Sequence, residues 1–184
     1  MVQVPILIKD KHGAEFTFRT PGSDEAQVIL ESMAEIAASS PYILSTPESF
    51  RAKSIESQVK WLEDAEKSDV AVIIAAYDSN NRIVGFCNGR SFGDIKRRHR
   101  AGLGVSIHPE LRGRGLGKKL MEVLITKMKQ FVGIKIIELD VMTQNLPAVK
   151  MYEDLGFVKA GVFPKAFILP TGETLDNLTM YMEV

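Results

Sequence analysis

Three glycines alternate through the run RGRGLG, at Gly113, Gly115 and Gly117, between a β-patterned lead-in ending at Ile107 and an amphipathic run that starts at Leu116. Each glycine costs roughly 0.5–1 kcal/mol of conformational entropy relative to alanine, so this density marks a place where bare backbone is required. A strand, a glycine turn and a helix in succession present main-chain N–H groups beside the positive end of a helix dipole, which suits a phosphate or pyrophosphate. The interleaved Arg112, Arg114, Lys118 and Lys119 point the same way, against the plainer reading of a tight turn with solvated basic side chains. Spacing narrows the ligand. A Walker loop would need glycine where Arg112 stands and serine or threonine where Lys119 stands. The dinucleotide fingerprint needs G-x-G-x-x-G at the start of a parallel unit, whereas these glycines alternate and their strand follows a hairpin partner.

Around this loop the hydrophobic pattern predicts a mixture of strands and helices. Val4–Lys9 and Glu15–Arg19 form a hairpin around Lys11-His12-Gly13, with Phe16 and Phe18 on one face. A helix follows from Ser23, capped by Ser23 or Asp24, with Ala26, Ile29, Leu30, Met33, Ile36 and Ala37 at helical spacing and an end at Ser39-Ser40-Pro41. Glu48–Lys67 is a second helical segment, with Val59 and Leu62 on one face. Val70–Tyr77 reads as a fully buried strand, Arg82–Phe92 as its hairpin partner, and Ala101–Ile107 as the strand that enters the glycine loop. Leu116–Phe131 is the strongest helix, with Leu120, Leu124, Met128 and Phe131 sharing a face. Ile134–Met142 is a strand, Asn145–Leu155 a short helix capped by Asn145 and stopped by Gly156, and Phe157–Leu169 with Thr174–Glu183 a closing hairpin. The expected class is a mixed α/β (α+β) domain occupying residues 1–184.

Charge and cysteine content exclude several function classes. Lysine plus arginine equals aspartate plus glutamate at 23 each, so no global field favours nucleic acid or anionic membrane as a partner. Cys87 is the only cysteine, which excludes an internal disulfide and reads as a small buried hydrophobe in a reducing compartment. Three scattered histidines and one cysteine give no metal-ligand spacing. The start lacks a basic targeting region, and the longest apolar run, Val70–Tyr77, is far below the roughly 18 residues that span a bilayer. The expectation is a soluble cytoplasmic protein.

Arg112-Gly113-Arg114-Gly115-Leu116-Gly117 matches the R/Q-x-x-G-x-G/A signature of the GNAT superfamily of acetyl-coenzyme A dependent N-acetyltransferases. Downstream, Asn145-Leu146-Pro147-Ala148-Val149-Lys150-Met151-Tyr152-Glu153-Asp154-Leu155-Gly156-Phe157 resembles that family's second signature, N-x-x-A-x-x-x-Y-x-x-x-G-F, and the order of elements is similar from about residue 14 to residue 183. The resemblance implies a mostly antiparallel mixed central sheet flanked by helices, with the strand Gly102–Ile107 splayed from Ile134–Met142. It implies acetyl-CoA as cosubstrate: the pantetheine arm against the backbone of Val105, Ser106 and Ile107, and the pyrophosphate on amides from Arg112 through Gly113, Arg114, Gly115, Leu116 and Gly117 to Lys118. Asn145 would reach the pantetheine arm, or cap its helix, or both, and Ala148 would line the arm. Members of that family often dimerise, which leaves a homodimer open.

Acetyl transfer needs a neutral amine, a stabilised oxyanion and a thiolate that can leave. The resemblance puts the group beside the sulfur at Tyr152. On spacing alone Tyr152 shares a helical face with Ala148 and Leu155 and reads as a core tyrosine. Many relatives carry a glutamate where this chain has Gly102, and a glycine takes no proton. Glu138 and Asp140, alternating onto one strand face, are the substrate-region carboxylates, each by default a solvated charge. Lys96-Arg97-Arg98-His99-Arg100 is a basic turn, a solvated hairpin end or a patch for acidic groups, and His108 before Pro109 reads as structural or exposed. The expected function is direct transfer from acetyl-CoA to a primary amine of a polyamine, an amino acid, an antibiotic or a protein. The competing class is a non-catalytic acyl-CoA sensing module.

Overall fold

Val70–Tyr77 is apolar on both faces of its pleat, and a strand of that kind must be covered on both sides. The computed structural model, which describes residues 5–184, shows how. Strand β3 (Ala71–Tyr77) sends Val72, Ile74 and Ala76 into one core and Ile73, Ala75 and Tyr77 into another on the opposite face. The first core is closed by helix α4 (Leu116–Met128) through Leu116, Leu120, Leu124 and Met128. The second is closed by α1 (Ala26–Ala38) and α3 (Ile55–Glu66), which bring Ala26, Ile29 and Leu62. Leu120 is fully buried, and truncation of such a residue to alanine costs roughly 2–5 kcal/mol.

The other strands are β1 (Ile6–Lys9), β2 (Glu15–Arg19), β4 (Ile83–Ser91), β5 (Arg100–Ile107), β6 (Ile136–Met142), β7 (Val158–Ile168) and β8 (Thr174–Glu183). Together with β3 they form a sheet of eight strands in the order β1-β2-β3-β4-β5-β6-β8-β7. Every neighbouring pair is antiparallel except β5 with β6. This is the mixed α/β sheet flanked by helices that the sequence predicts. The β5–β6 ladder pairs Arg100 with Ile136, Ala101 with Ile137 and Gly102 with Glu138, and goes no further. Beyond Gly102 the two strands part, and α5 (Leu146–Asp154) closes the far side of the gap.

Several boundaries differ from the sequence expectation, and the predicted start of the first strand at Val4 lies outside the described residues. The entry to α1 is a 3-10 turn, Ser23–Glu25, so neither Ser23 nor Asp24 caps the helix. Instead the Glu25 carboxylate accepts the Gly22 amide at 2.8 Å, pairs with Arg19 at 2.6 Å and accepts the Tyr77 hydroxyl at 3.0 Å. The predicted Glu48–Lys67 helix is two helices, α2 (Pro47–Arg51) and α3, each with its own hydroxyl cap. Thr46 accepts from the Ser49 amide and Ser54 from the Ser57 amide, both at 3.2 Å. The break turns Phe50 into a buried position beneath α1, where a continuous helix would have carried it away.

Candidate active site

Between β5 and α4 the chain runs through a short 3-10 turn, Pro109–Leu111, and then the glycine loop. Gly113 and Gly115 adopt φ of +76° and +85°, the left-handed region that disfavours any side chain. Gly117 is inside the helix, and a Cβ there would sit 3.4 Å from Ile107. Helix α4 starts at a glycine cap with no side-chain hydrogen bond, so the amides of its first turn lack a side-chain partner. Gly113, Gly115, Leu116, Gly117, Lys118 and Lys119 line a cavity of about 510 Å³ together with Asn145 and Ala148.

Two of the four interleaved basic residues are tied to other parts of the chain, Arg112 while still lining the glycine-loop cavity. Arg112 donates to the Ile107 carbonyl at 3.1 Å, the Ser39 carbonyl at 3.1 Å and the Ser39 hydroxyl at 2.7 Å, tying the loop to the end of α1. Arg114 pairs at 2.5 Å with Asp10, whose side chain is wholly buried. Burial by itself would raise the Asp10 carboxyl, but the amides of His12 and Ala14 and the Arg114 guanidinium hold it below the usual carboxylate range. The Lys11 amide also donates to the Arg114 carbonyl at 3.1 Å, so the first hairpin braces the loop. The other cations on the cavity, beside Arg112, are Lys118, Lys119, Lys11 and Lys150. Lys150 pairs with Asp154 at 3.0 Å and, with Lys118, holds that carboxyl below its ordinary range. Lys11 was not legible as a site residue, because only the tertiary contact of the hairpin brings it there.

The parting of β5 from β6 exposes main-chain groups selectively. The His108 amide bonds to the Val84 carbonyl at 2.9 Å, and the β4–β5 register fixes the alternation from that point. Gly104 and Ser106 therefore turn their N–H and C=O groups to β4. Leu103, Val105 and Ile107 turn theirs to the open edge, where the Ile107 carbonyl is taken by Arg112. Of the stretch Val105 to Ile107, the amides of Val105 and Ile107 are thus presented to the gap, while that of Ser106 is not.

A cavity of about 710 Å³ fills the gap and runs into the glycine-loop cavity along Val105, Ile107, Asn145 and Ala148. Tyr152 lies on its wall, 7% exposed, with its ring edge-on to Phe157 at 5.9 Å between centroids. Burial pushes its hydroxyl up to about 12. Among the described residues the hydroxyl has no hydrogen-bond partner, in contrast to Tyr77, whose hydroxyl is held by Glu25. Asn145 makes no side-chain cap to α5, against the capping expectation, and its amide is left on the cavity.

The remaining sequence candidates separate. Asp140 lines the same cavity as Tyr152, its Oδ1 accepting from Asn177 Nδ2 and Thr179 Oγ1, both at 2.7 Å. Glu138 is paired with Arg100, accepting its Nε at 2.6 Å, and lines none of the cavities described here. Gly102 faces the Phe92 ring, 3.3 Å from where a Cβ would be. His108 is buried, 2.9 Å from Arg82 and flanked by Glu35 and Glu110, away from Tyr152's cavity. In the basic turn Lys96, Arg97 and Arg98 are exposed, with Arg97 paired to Asp94 and lying over the Phe92 ring, while His99 and Arg100 are half-buried. No helix among the described residues is long and apolar enough to cross a membrane.

The geometry has counterparts among known proteins. An acetyltransferase of the GNAT family from Streptococcus pneumoniae superposes with a TM-score of 0.86 at 21% identity, over 92% of this chain and 99% of that one. The structure of yncA from Salmonella typhimurium with its cofactor acetyl-CoA superposes with a TM-score of 0.78 at 20% identity, over 91% and 93%. L-amino acid N-acyltransferase MnaT of Escherichia coli is 26% identical over 114 residues, 60% of this chain and 63% of that protein. The chain spans 45%, 63% and 52% of the length of three such curated relatives. A profile of the acetyltransferase (GNAT) family matches residues 30–157, a stretch that takes in the open β5 edge, the glycine loop and Tyr152, and the chain belongs to that family.

Proposed function

We propose that the protein is an acetyl-CoA dependent N-acetyltransferase in which a neutral amine attacks the acetyl carbon directly. The observation that carries this reading is Tyr152, a 7% exposed tyrosine on the wall of a cavity bordered by the open edge of β5, whose hydroxyl makes no hydrogen bond among the described residues. A tyrosine this buried ordinarily spends its hydroxyl on a protein acceptor, and one without such an acceptor on a cavity wall is free to bond a ligand there. Acetyl-CoA would supply an activated thioester. The amides of the loop and of the first turn of α4, with Lys118 and Lys119 beside them, suit its pyrophosphate. The open amides of β5 and the free Asn145 amide suit its pantetheine arm, with the Val105 N–H the donor for the developing oxyanion.

In the transfer a C–N bond forms and the C–S bond breaks, with the electron pair leaving on sulfur. Tyr152 at about 12 is a weaker acid than a thiol near 8.5, so full proton transfer from it is uphill by roughly 3–4 pKa units. Tyr152 therefore stabilises the departing thiolate as a hydrogen-bond donor, and the proton shed by the amine passes to solvent. Asp140, a carboxylate on this cavity whose Oδ1 is held by Asn177 and Thr179, is the residue we assign to relay that proton. Cys87, buried and with its thiol pushed well up by that burial, forms no acyl-enzyme.

Thiol release from acetyl-CoA, followed across amino acids, polyamines, aminoglycosides and N-terminal peptides, tests the reading. Amine-dependent release is expected. Acetyl-CoA binding with no release across the panel would replace it with an acyl-CoA sensing module.

A further inference from the structure

On the other side of β5 lies a second cavity, of about 620 Å³, walled by α1, α2, α3 and β4. It shares Tyr42, Ile43, Leu44, Gly104, Val105 and Ser106 with the cavity of Tyr152, so a molecule seated in it reaches that cavity around a single strand. We propose that this is the acceptor pocket and that it takes an amine bearing one apolar group and one carboxylate, in preference to a polyamine. The inference rests on the acetyl-transfer reading for its chemistry, and on the composition of these walls for the class of acceptor.

The walls are mostly apolar and include Leu30, Met33, Phe50, Trp61 and Phe86. Lys53 is the single charged side chain on the lining, 5.3 Å from the Phe50 ring centroid. Among the described residues it has no carboxylate partner. No described aspartate or glutamate lines this cavity, and Glu48 of α2 pairs with Arg51. Gln58 is 6% exposed and Asn88 is half-buried; both line the cavity, and neither makes a side-chain hydrogen bond among the described residues. Side-chain amides on a cavity wall that make no bond to the protein are available to a polar ligand group.

Charge decides between ligand classes. A second ammonium placed here would lose hydration against apolar walls, meet no anion and be repelled by Lys53. A carboxylate would meet an unpaired ammonium and amide donors while its apolar substituent displaced water from the aromatic walls. That leaves the amine of the same molecule as the end free to reach Gly104–Ser106.

Trp61 is the only tryptophan in the chain, so its emission reports binding whether or not turnover follows. The wild type is titrated with L-leucine, L-leucinamide and spermidine, then Lys53→Met is titrated in the same way. The expected result is saturable binding of L-leucine, about tenfold weaker binding of L-leucinamide, and no saturation with spermidine over the same range. Lys53→Met should bring L-leucine down to the affinity of L-leucinamide and leave the latter unchanged. Spermidine binding as tightly as L-leucine, no saturable change with L-leucine, or a carboxylate preference that survives Lys53→Met would each overturn the proposal. Thiol release measured in parallel separates the two readings. L-leucine bound without release from acetyl-CoA removes the transfer chemistry and leaves the pocket, whereas release from L-leucine that Lys53→Met does not alter removes the pocket and leaves the transfer.

Discussion

Tyr152 and Asp10 are the two residues at which burial and function meet most directly. Tyr152 holds its proton more tightly in the folded protein than the ordinary value near 10, at about 12. The contribution to stability is therefore full below pH about 10 and is lost as the pH rises toward the folded value. Urea unfolding of wild type and Tyr152→Phe between those limits should show the wild type losing roughly 2 kcal/mol more across the window. Parallel curves would mean that Tyr152 ionises as it would in water. Asp10 joins the first hairpin to the glycine loop through Arg114. Asp10→Asn should raise the KM for acetyl-CoA several-fold and lower Tm while leaving kcat near wild type, since the carboxylate shapes the loop and does not line the cavity of Tyr152. A kcat defect with unchanged KM would contradict that role.

Among the elements, the glycine loop separates backbone strain from crowding. Gly113 has positive φ and open space around its Cα, while Gly115 has positive φ and Lys11 atoms 3.2 Å from a Cβ. Gly113→Ala should cost roughly 1–2 kcal/mol from conformation alone. Gly115→Ala should cost more and weaken acetyl-CoA binding further, as thermal denaturation and calorimetric titration would show. Strand β5 gives a second expectation: in hydrogen exchange the Leu103 and Val105 amides exchange fast in the free protein, Gly104 and Ser106 slowly, and acetyl-CoA protects Val105. Uniform protection along β5 would mean the gap is closed in solution. The loop and the helix of Tyr152 were legible in the sequence because their signals are local: positive-φ glycines, a 3.6 period, and a glycine stop at Gly156 with φ of +94°. The roles of Arg112 and Arg114 were not, because their partners Ser39 and Asp10 are distant in sequence and come close only through the sheet. Nor was the break at Ala52–Ser54, where an unbroken charged pattern hid the Ser54 cap.

Across the whole molecule, two cores share one continuous sheet, with β3 contributing to both. That continuity argues for a single cooperative unfolding transition over residues 5–184, detected identically by Trp61 emission and far-ultraviolet dichroism. Acetyl-CoA at a hundredfold excess over its Kd should add about 2.7 kcal/mol and raise Tm by roughly 5–10 °C. Two transitions, one insensitive to acetyl-CoA, would show that the acceptor-side helices fold apart from the cofactor side. The balanced charge of the chain, 23 basic against 23 acidic residues, leaves ligand choice to local features, and the cavities on either side of β5 differ accordingly: lysines gather at the glycine loop, whereas the acceptor side has Lys53 alone.

Stabilisation of the leaving thiolate by Tyr152 is tested by kcat and KM of Tyr152→Phe beside wild type on one established amine. The expected result is a kcat reduced at least tenfold, about 1.4 kcal/mol of transition-state stabilisation, with acetyl-CoA affinity within about twofold of wild type. Wild-type turnover in the phenylalanine variant would contradict it.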